Sequence, residues 1–387
     1  MRKYRMKTFE FGELVELRKE KYNPLTNDTV PCIELEHINQ NSGTINGFVN
    51  SIEQKSIKNV FHKGDILFAK LRPYLRKYWF AEFDGVCSSE IWVLKPKSVV
   101  TAEYLFCLIQ TEEFIRIANV SFGSKMPRAD WDFINHYPFT IIHSLPEQQH
   151  IVSVLSLWDT AIAKQTAMIE QLTLRKRGLM QQLLTGKKRL KGFEGEWKKC
   201  VIKSFAEEVS TRNIKNKNYV VLSCTKYDGL VPSLEYFGKQ IYSNDLNTYK
   251  VVPKNHFVYA TNHIDEGSIG YQAHYDNGLI SPMYTVFKTD KEKVDDTYLF
   301  AVLKSHHLIY LYQAMMEGSI NRRGGLRWDS FSTIKVDLPS LEEQKAISAF
   351  LQNADKEIEI QKQKLAAMQE QKKGLMQVLL TGKKRVH

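Results

Sequence analysis

Residues 147–189 read EQQHIVSVLSLWDTAIAKQTAMIEQLTLRKRGLMQQLLTGKKR, and residues 343–385 read EQKAISAFLQNADKEIEIQKQKLAAMQEQKKGLMQVLLTGKKR. The two strings align without a gap at a constant offset of 196 residues, and nearly half of their positions are identical. Chance does not produce such a match, so the chain carries an internal duplication. Both copies have the rhythm of a long helix. In the first, Ile151, Leu155, Trp158, Ile162, Gln165, Ile169, Leu172, Lys176, Leu179 and Leu183 follow one another at alternating steps of four and three. In the second, Ile347, Leu351, Ala354, Ile358, Gln361, Leu365, Met368, Lys372, Leu375 and Leu379 do the same. These steps form the a/d seam of a heptad, an apolar stripe that needs a partner, and the natural partner is the other copy.

Polar residues interrupt the seam at equivalent places, Gln165/Gln361 and Lys176/Lys372. Two explanations stand side by side: such residues fix register or partner choice at a cost in stability, or the lysine stems carry their charge out into water. Each helix spans about 37 residues, or about 55 Å. Each runs out at Thr-Gly-Lys-Lys-Arg, with Gly186 and Gly382 as candidate left-handed terminators. The cations beyond them suit the negative end of a helix, and are equally suited to DNA or a partner subunit.

Outside the repeats, two segments of similar length remain, and they are weakly alike. Each begins with a polar segment around an aromatic residue, FGELV at 11–15 and FAEEV at 205–209. Each has a β-rich middle, with strands expected at 65–69 and 91–94 in one and at 257–260 and 284–287 in the other. A helix follows at 102–109 and at 296–303. Each then reaches a Gly-Ser loop with basic residues, GSKMPR at 123–128 before Trp131 and GSINRR at 318–323 before Trp328. The organisation is globular–helix–globular–helix, divided at 1–145, 146–192, 193–340 and 341–387.

Composition sets the limits on function. With 387 residues the chain is too long for one compact core. Hydrophobic residues at 43% supply real cores, and no apolar run is long enough to span a membrane. The charged start, Met1 to Lys7, is followed by no apolar stretch, so no signal peptide is read and a cytoplasmic location is expected. The net charge of +11 and pI near 9.2 suit a polyanionic partner such as nucleic acid. Five widely spaced cysteines form no CxxC pair, which argues against zinc ribbons, redox motifs and a disulfide framework.

Two divergent segments, each followed by a near-identical helix, resemble the specificity subunit of type I restriction-modification systems over essentially the whole chain. LPSLEEQ at 338–344 and the two GLMQ strings at 178–181 and 374–377 match that family's style. The approach to the first helix differs, with His143 where the second copy has Pro339. The resemblance implies two mixed α/β target recognition domains, each reading half of a split DNA site. It implies that the helices form an antiparallel coiled-coil spacer, and the duplication suits a pseudo-two-fold arrangement of the two readers. It also implies partners: double-stranded DNA, two methyltransferase subunits using S-adenosylmethionine, and restriction subunits using ATP and Mg. No cofactor or metal is expected on this chain.

The residues themselves offer no catalytic centre. Asn23-Pro24-Leu25-Thr26 is not the (N/D)PP(Y/F) motif of an amino-methyltransferase, and no GxxxxGK[ST] loop exists. His306-His307 lacks the HExxH spacing of a zinc site. Arginine reads guanine and asparagine reads adenine in the major groove, so such side chains near loops are the expected DNA contacts. In the first domain these are Lys70, Arg72, Arg76, Lys77, Ser124, Lys125 and Arg128. In the second they are Asn262, His263, Ser319, Asn321, Arg322, Arg323 and Arg327. The Gly-Ser loops offer backbone N–H groups to phosphate. About a third of these residues are expected to touch bases, the rest the backbone. The competing reading is an adaptor whose coiled coil assembles proteins, with the basic surface incidental.

Overall fold

The computed structural model describes residues 6–24, 29–120, 126–317 and 325–384. By its internal contacts the chain divides into two units: Met1–Ala167 together with Lys362–His387, and Met168–Gln361.

The first unit runs β1 (Met6–Glu10), α1 (Phe11–Leu14), β2 (Val15–Leu17), β3 (Lys21–Tyr22), β4 (Pro31–Ile33), β5 (Val49–Asn50), β6 (Lys58–Phe61), β7 (Ile66–Ala69), β8 (Tyr78–Phe80), β9 (Gly85–Cys87), β10 (Ile91–Pro96), α2 (Ala102–Ile109), α3 (Glu112–Ala118), α4 (Trp131–Asn135) and β11 (Pro138–Ile142), then enters α5 (Leu145–Leu183). Its sheets are the pair β1-β11, the four-stranded β2-β10-β7-β8 and the five-stranded β3-β6-β9-β4-β5. The second unit runs β12 (Lys198–Val201), β13 (Ala206–Glu208), β14 (Val220–Thr225), β15 (Gly229–Pro232), α6 (Ser233–Phe237), β16 (Lys250–Pro253), β17 (Phe257–Ala260), β18 (Ile269–Tyr271), β19 (Asn277–Ile280), β20 (Tyr284–Thr289), α7 (Asp296–Leu303), α8 (His306–Glu317), α9 (Trp328–Phe331) and β21 (Lys335–Leu338), then enters α10 (Leu341–Leu380). Its sheets repeat the order, with one edge strand fewer in the third, where no strand among the described residues stands in the place of β3: β12-β21, β13-β20-β17-β18 and β15-β14-β19-β16.

The expected strands and helices all form, within a residue or two of their predicted ends. β7 and β17 are buried at every position, as central strands covered on both faces must be. α2 and α7 start at Thr101 and Asp295, whose side chains accept the backbone N–H of Tyr104 and Tyr298. The aromatic residue at the head of each segment is a core anchor: Phe11 is fully buried against Phe114, Trp131 and Phe139, and Phe205 is buried in the second core. No helix among the described residues is long and apolar enough to cross a membrane.

Every seam position read from the repeats is buried or half-buried in both long helices, the interrupting glutamines and lysines included. Most residues between them are exposed. In the first unit, residues 145–167 run against residues 362–380 in the opposite direction. Ile151 and Leu155 share a core with Met376, Leu379 and Leu380, and one turn further on Lys372 Nζ meets Asp159 Oδ1 at 2.5 Å. In the second unit, residues 168–183 run against residues 341–361. There Leu183 shares a core with Ile347 and Leu351, and Lys176 pairs with Asp355. The seam lysines therefore keep their stems in the stripe and deliver their charge to a carboxylate on the facing helix. Both helices stop as expected, with Gly186 at φ +68° and Gly382 at φ +66°.

The His143/Pro339 difference leaves the helix start unchanged, because Gln148 and Gln344 donate their backbone N–H to Ser144 and Ser340 at 2.9 Å in both. The same glutamines are fully buried staples. Gln148 Oε1 accepts from the Thr101 amide at 2.8 Å, and its Nε2 donates to the carbonyls of Val99 and Ile142. Gln344 Oε1 accepts from the Asp295 amide at 2.9 Å, and its Nε2 donates to Lys293 and Pro339. Each fixes the start of a long helix to the cap of the preceding α2 or α7.

Candidate nucleic-acid interface

In the first unit the chain leaves β7 at Ala69 and crosses to β8 through residues 70–77. Pro73–Leu75 form a single 3-10 turn, with Arg72 and Arg76 on either side in the left-handed region at φ +52° and +51°. That conformation costs a non-glycine residue about 1 kcal/mol or more, so the surroundings must impose it. They do. Lys70 N donates to Glu90 O at 3.0 Å, Arg72 N to Pro127 O at 2.8 Å and Ala129 N to Lys70 O at 2.8 Å. Leu71 and Arg128 also form an isolated antiparallel bridge. The turn and the segment returning from the first Gly-Ser loop are thus sewn together.

The sequence-derived candidates divide by what already holds them. Arg76 is paired with Glu112, which Lys373 also contacts at 2.7 Å. Lys373 and Arg76 together hold the Glu112 carboxyl below its usual range. Lys77 Nζ donates to Leu35 O at 2.5 Å, and Arg128 Nε to Glu90 Oε2 at 3.0 Å. The side chains of Lys70 and Arg72 make no ion pair or hydrogen bond among the described residues. Ser124 and Lys125 lie outside the described residues.

The second unit repeats the construction. β17 ends at Ala260, and Thr261, Asn262 and His263 lead through a 3-10 turn at Ile264–Glu266 into β18. Leu326 N donates to Thr261 O at 2.8 Å, the counterpart of the Ala129–Lys70 bond. Gly325 sits at φ +63°, and a Cβ there would come within 2.4 Å of both Asn262 Oδ1 and Thr261 O. Only glycine lets the returning segment press this close. Asn262 and Arg327 line one open depression of about 390 Å³ with Lys250, Glu208 and Trp328. Asn262 and His263 line an adjoining one of about 300 Å³ with Ile241, Tyr242 and Met283. Arg327 is exposed, and His263 Nδ1 lies 3.3 Å from Glu266 Oε1. Ser319, Asn321, Arg322 and Arg323 lie outside the described residues. The structure therefore gathers Lys70, Arg72 and Arg128 in one unit, and Asn262, His263 and Arg327 in the other.

Two groups of residues went unread in the sequence. The glutamine staples had a visible signal, since Gln148 and Gln344 occupy identical positions of the repeat. The exposed amide side chains of Gln40 and Asn41 beside residues 70–77 had none, because an uncharged surface residue leaves no periodic trace. Arg189 in the first TGKKR string grips the buried Glu343 with two bonds of 2.5 and 2.6 Å, so that cation is used inside the second unit.

No group of three or more His, Cys, Asp or Glu among the described residues is arranged to hold a metal. Burial pushes the thiols of Cys32, Cys107 and Cys224 up to about 12 and raises that of Cys87, so these four are poor nucleophiles.

The family model described as Type I restriction modification DNA specificity domain matches residues 4–174 and again 194–370. The chain is 26% identical over 337 residues to the type I restriction enzyme MjaVIII specificity subunit of Methanocaldococcus jannaschii, covering 78% of this chain and 75% of that one. Its fold is similar to that of the HsdS subunit from Thermoanaerobacter tengcongensis, with a TM-score of 0.52 at 16% identity over 97% of both chains. It is also similar to the S subunit of a type I system from M. genitalium, with a TM-score of 0.53 at 14% identity over 97% of this chain and 96% of that one.

Proposed function

As a member of the type I restriction modification DNA specificity family, the chain is a specificity subunit, and we propose that it reads a split, asymmetric DNA site through its two domains and carries no catalytic step itself. The observation that supports this is the duplicated assembly at the end of β7 and of β17. In each, a turn rich in basic or amide side chains is sewn to the segment returning from a Gly-Ser loop. Equivalent frames with different side chains suit two half-sites of different sequence. Lys70, Arg72, Asn262, His263 and Arg327 are the described candidates for contact, with Arg128 beside them. Lys125, Asn321, Arg322 and Arg323 are proposed to extend the same surfaces. Arginine and asparagine would read base edges, and lysine would neutralise phosphate.

In this reading the partners are two methyltransferase subunits and the restriction subunits. S-adenosylmethionine, ATP and Mg belong to them. The outer faces of α5 and α10 are the docking surfaces, because their seam faces are already occupied within each unit.

The test is exchange of residues 1–145 for the equivalent domain of a relative, followed by methylome sequencing of a host carrying the assembled methyltransferase. One half of the methylated site should change and the other should stay. A change in both halves, or in neither, would refute independent reading by two domains. The adaptor alternative predicts no sequence-dependent mobility shift with the methyltransferase present.

A further inference from the structure

We infer that the hairpin at residues 38–45 is a base-reading element of the first domain, with Gln40 pairing to an adenine of its half-site. This rests on the DNA-reading role proposed above and adds a contact that charge and motif did not point to.

The hairpin is tied to the basic turn at its own level. Gln40 and Lys77 form an isolated antiparallel bridge, and Asn41 N donates to Arg76 O at 2.9 Å. Lys77 Nζ, bonded to Leu35 O, anchors the hairpin's base. Within the hairpin, Ile38 pairs with Ile45 and Asn39 N donates to Thr44 O at 3.0 Å. The side chains of Asn39, Ser42 and Thr44 bond one another at 2.9–3.0 Å. At the tip, Asn41 and Gly43 are left-handed, at φ +53° and +71°. A Cβ on Gly43 would lie 3.0 Å from Phe106, so the tip is packed down on α2.

This stitching uses up most of the hairpin's polar groups; the Asn41 side chain at the tip accepts from Tyr78 OH at 3.5 Å, and Gln40 beside it keeps its whole amide. Gln40 is exposed, and its amide makes no hydrogen bond among the described residues. A primary amide presents a donor and an acceptor in one plane, the complement of adenine N6 and N7 in the major groove. A hairpin already fixed by its own bonds loses little freedom on binding. At the corresponding place the second domain carries no such hairpin, since β14 turns into β15 through residues 226–228. A requirement set by Gln40 therefore belongs to one half-site alone.

The experiment compares the assembled methyltransferase carrying the unaltered subunit, Gln40→Ala or Gln40→Glu, by methylome sequencing and by binding to single-base variants of the site. Gln40→Ala should reduce discrimination at one adenine of the first domain's half-site by roughly 5- to 150-fold, the range for a good bidentate pair. The other half-site and the salt dependence should not move. Gln40→Glu should shift preference at that position toward cytosine, whose N4–H donates to a carboxylate oxygen. If the unaltered enzyme marks a split site and both variants keep the same motif, or lose affinity equally on all sequences, Gln40 does not read a base. If the unaltered enzyme marks no split site, the DNA-reading role of the domain falls, and Gln40 with it.

Discussion

In the first domain the chain leaves β4 at Ile33 and runs through residues 34–48 before returning as β5, whereas in the second it turns from β14 into β15 through residues 226–228 alone. The second domain elaborates elsewhere. After β15 it runs through residues 233–249, with Leu234, Tyr236, Phe237 and Ile241 exposed, where the first domain crosses from β5 to β6 through residues 51–57. The strand order around these insertions is the same, and so is the staple that joins each domain to its long helix. The first domain thus adds an amide-rich hairpin and the second an apolar, aromatic rim, each beside the turn that ends the central strand. The shared frame holds the buried staples and cores, and the unshared insertions are where the two domains differ most in their exposed side chains.

That division predicts equal costs for equivalent changes in the frame. The largest should come from the staples. Gln148→Leu strands the Thr101 amide and two carbonyls, and Gln344→Leu strands the Asp295 amide and two carbonyls. At about 1–3 kcal/mol for each unsatisfied buried group, either should cost about 3 kcal/mol or more. Urea unfolding, with hydrogen exchange to locate the loss, should show each variant weakening its own unit. A large cost in one and under about 1 kcal/mol in the other would break the equivalence of the frames.

A finer test lies in the tyrosines that open α2 and α7. Tyr104 OH donates to Leu380 O at 3.2 Å and accepts from Ile142 N at 3.4 Å, while Tyr298 OH reaches Asp337 O at 3.5 Å. Tyr104→Phe should cost about 1 kcal/mol in the same unfolding measurement, and Tyr298→Phe less. Equal costs would show that these hydroxyls do not distinguish the units. The smallest effect belongs to the seam lysines. Lys372→Met and Lys176→Met each remove a cross-helix pair to an aspartate that is more than half exposed. Each should cost under about 0.5 kcal/mol at low salt, and the loss should vanish in high salt as screening removes the attraction. A loss that persists in high salt would mean the stems, not the charges, are what the seam keeps.

The helices were the most legible part of the chain. Heptad periodicity repeats many times and occurs twice, so the sequence alone assigns the seam from Ile151 to Leu183 and from Ile347 to Leu379 to one face of each helix. The partners of Lys176 and Lys372 were hidden only because Asp355 and Asp159 lie off the seam, although both aspartates occupy the same position of the repeat. Strands such as Ile66–Ala69 were readable as short apolar runs. The interface was less so. Arg76 and Arg128 look like DNA ligands in sequence because charge is local information, but whether a charge is free depends on Glu112 and Glu90, which folding brings to it. Gln40 shows the converse, an uncharged residue made conspicuous only by the bonds that consume its neighbours.

The first unit is completed by residues 362–387 of the sequence, and Met376, Leu379 and Leu380 fill its core. The second unit is a single continuous stretch. On the ribosome the two therefore close in the reverse of their chain order. The second can pack as soon as Gln361 is clear of the exit tunnel, while the first waits with an open apolar slot for the final turns of α10. At about 5–20 residues per second, that wait lasts roughly 10–40 s after residue 167 is made. A message broken within the codons for residues 362–380 would release a chain whose second unit is whole and whose first unit has lost its plug, leaving a sticky product for proteases and chaperones to clear.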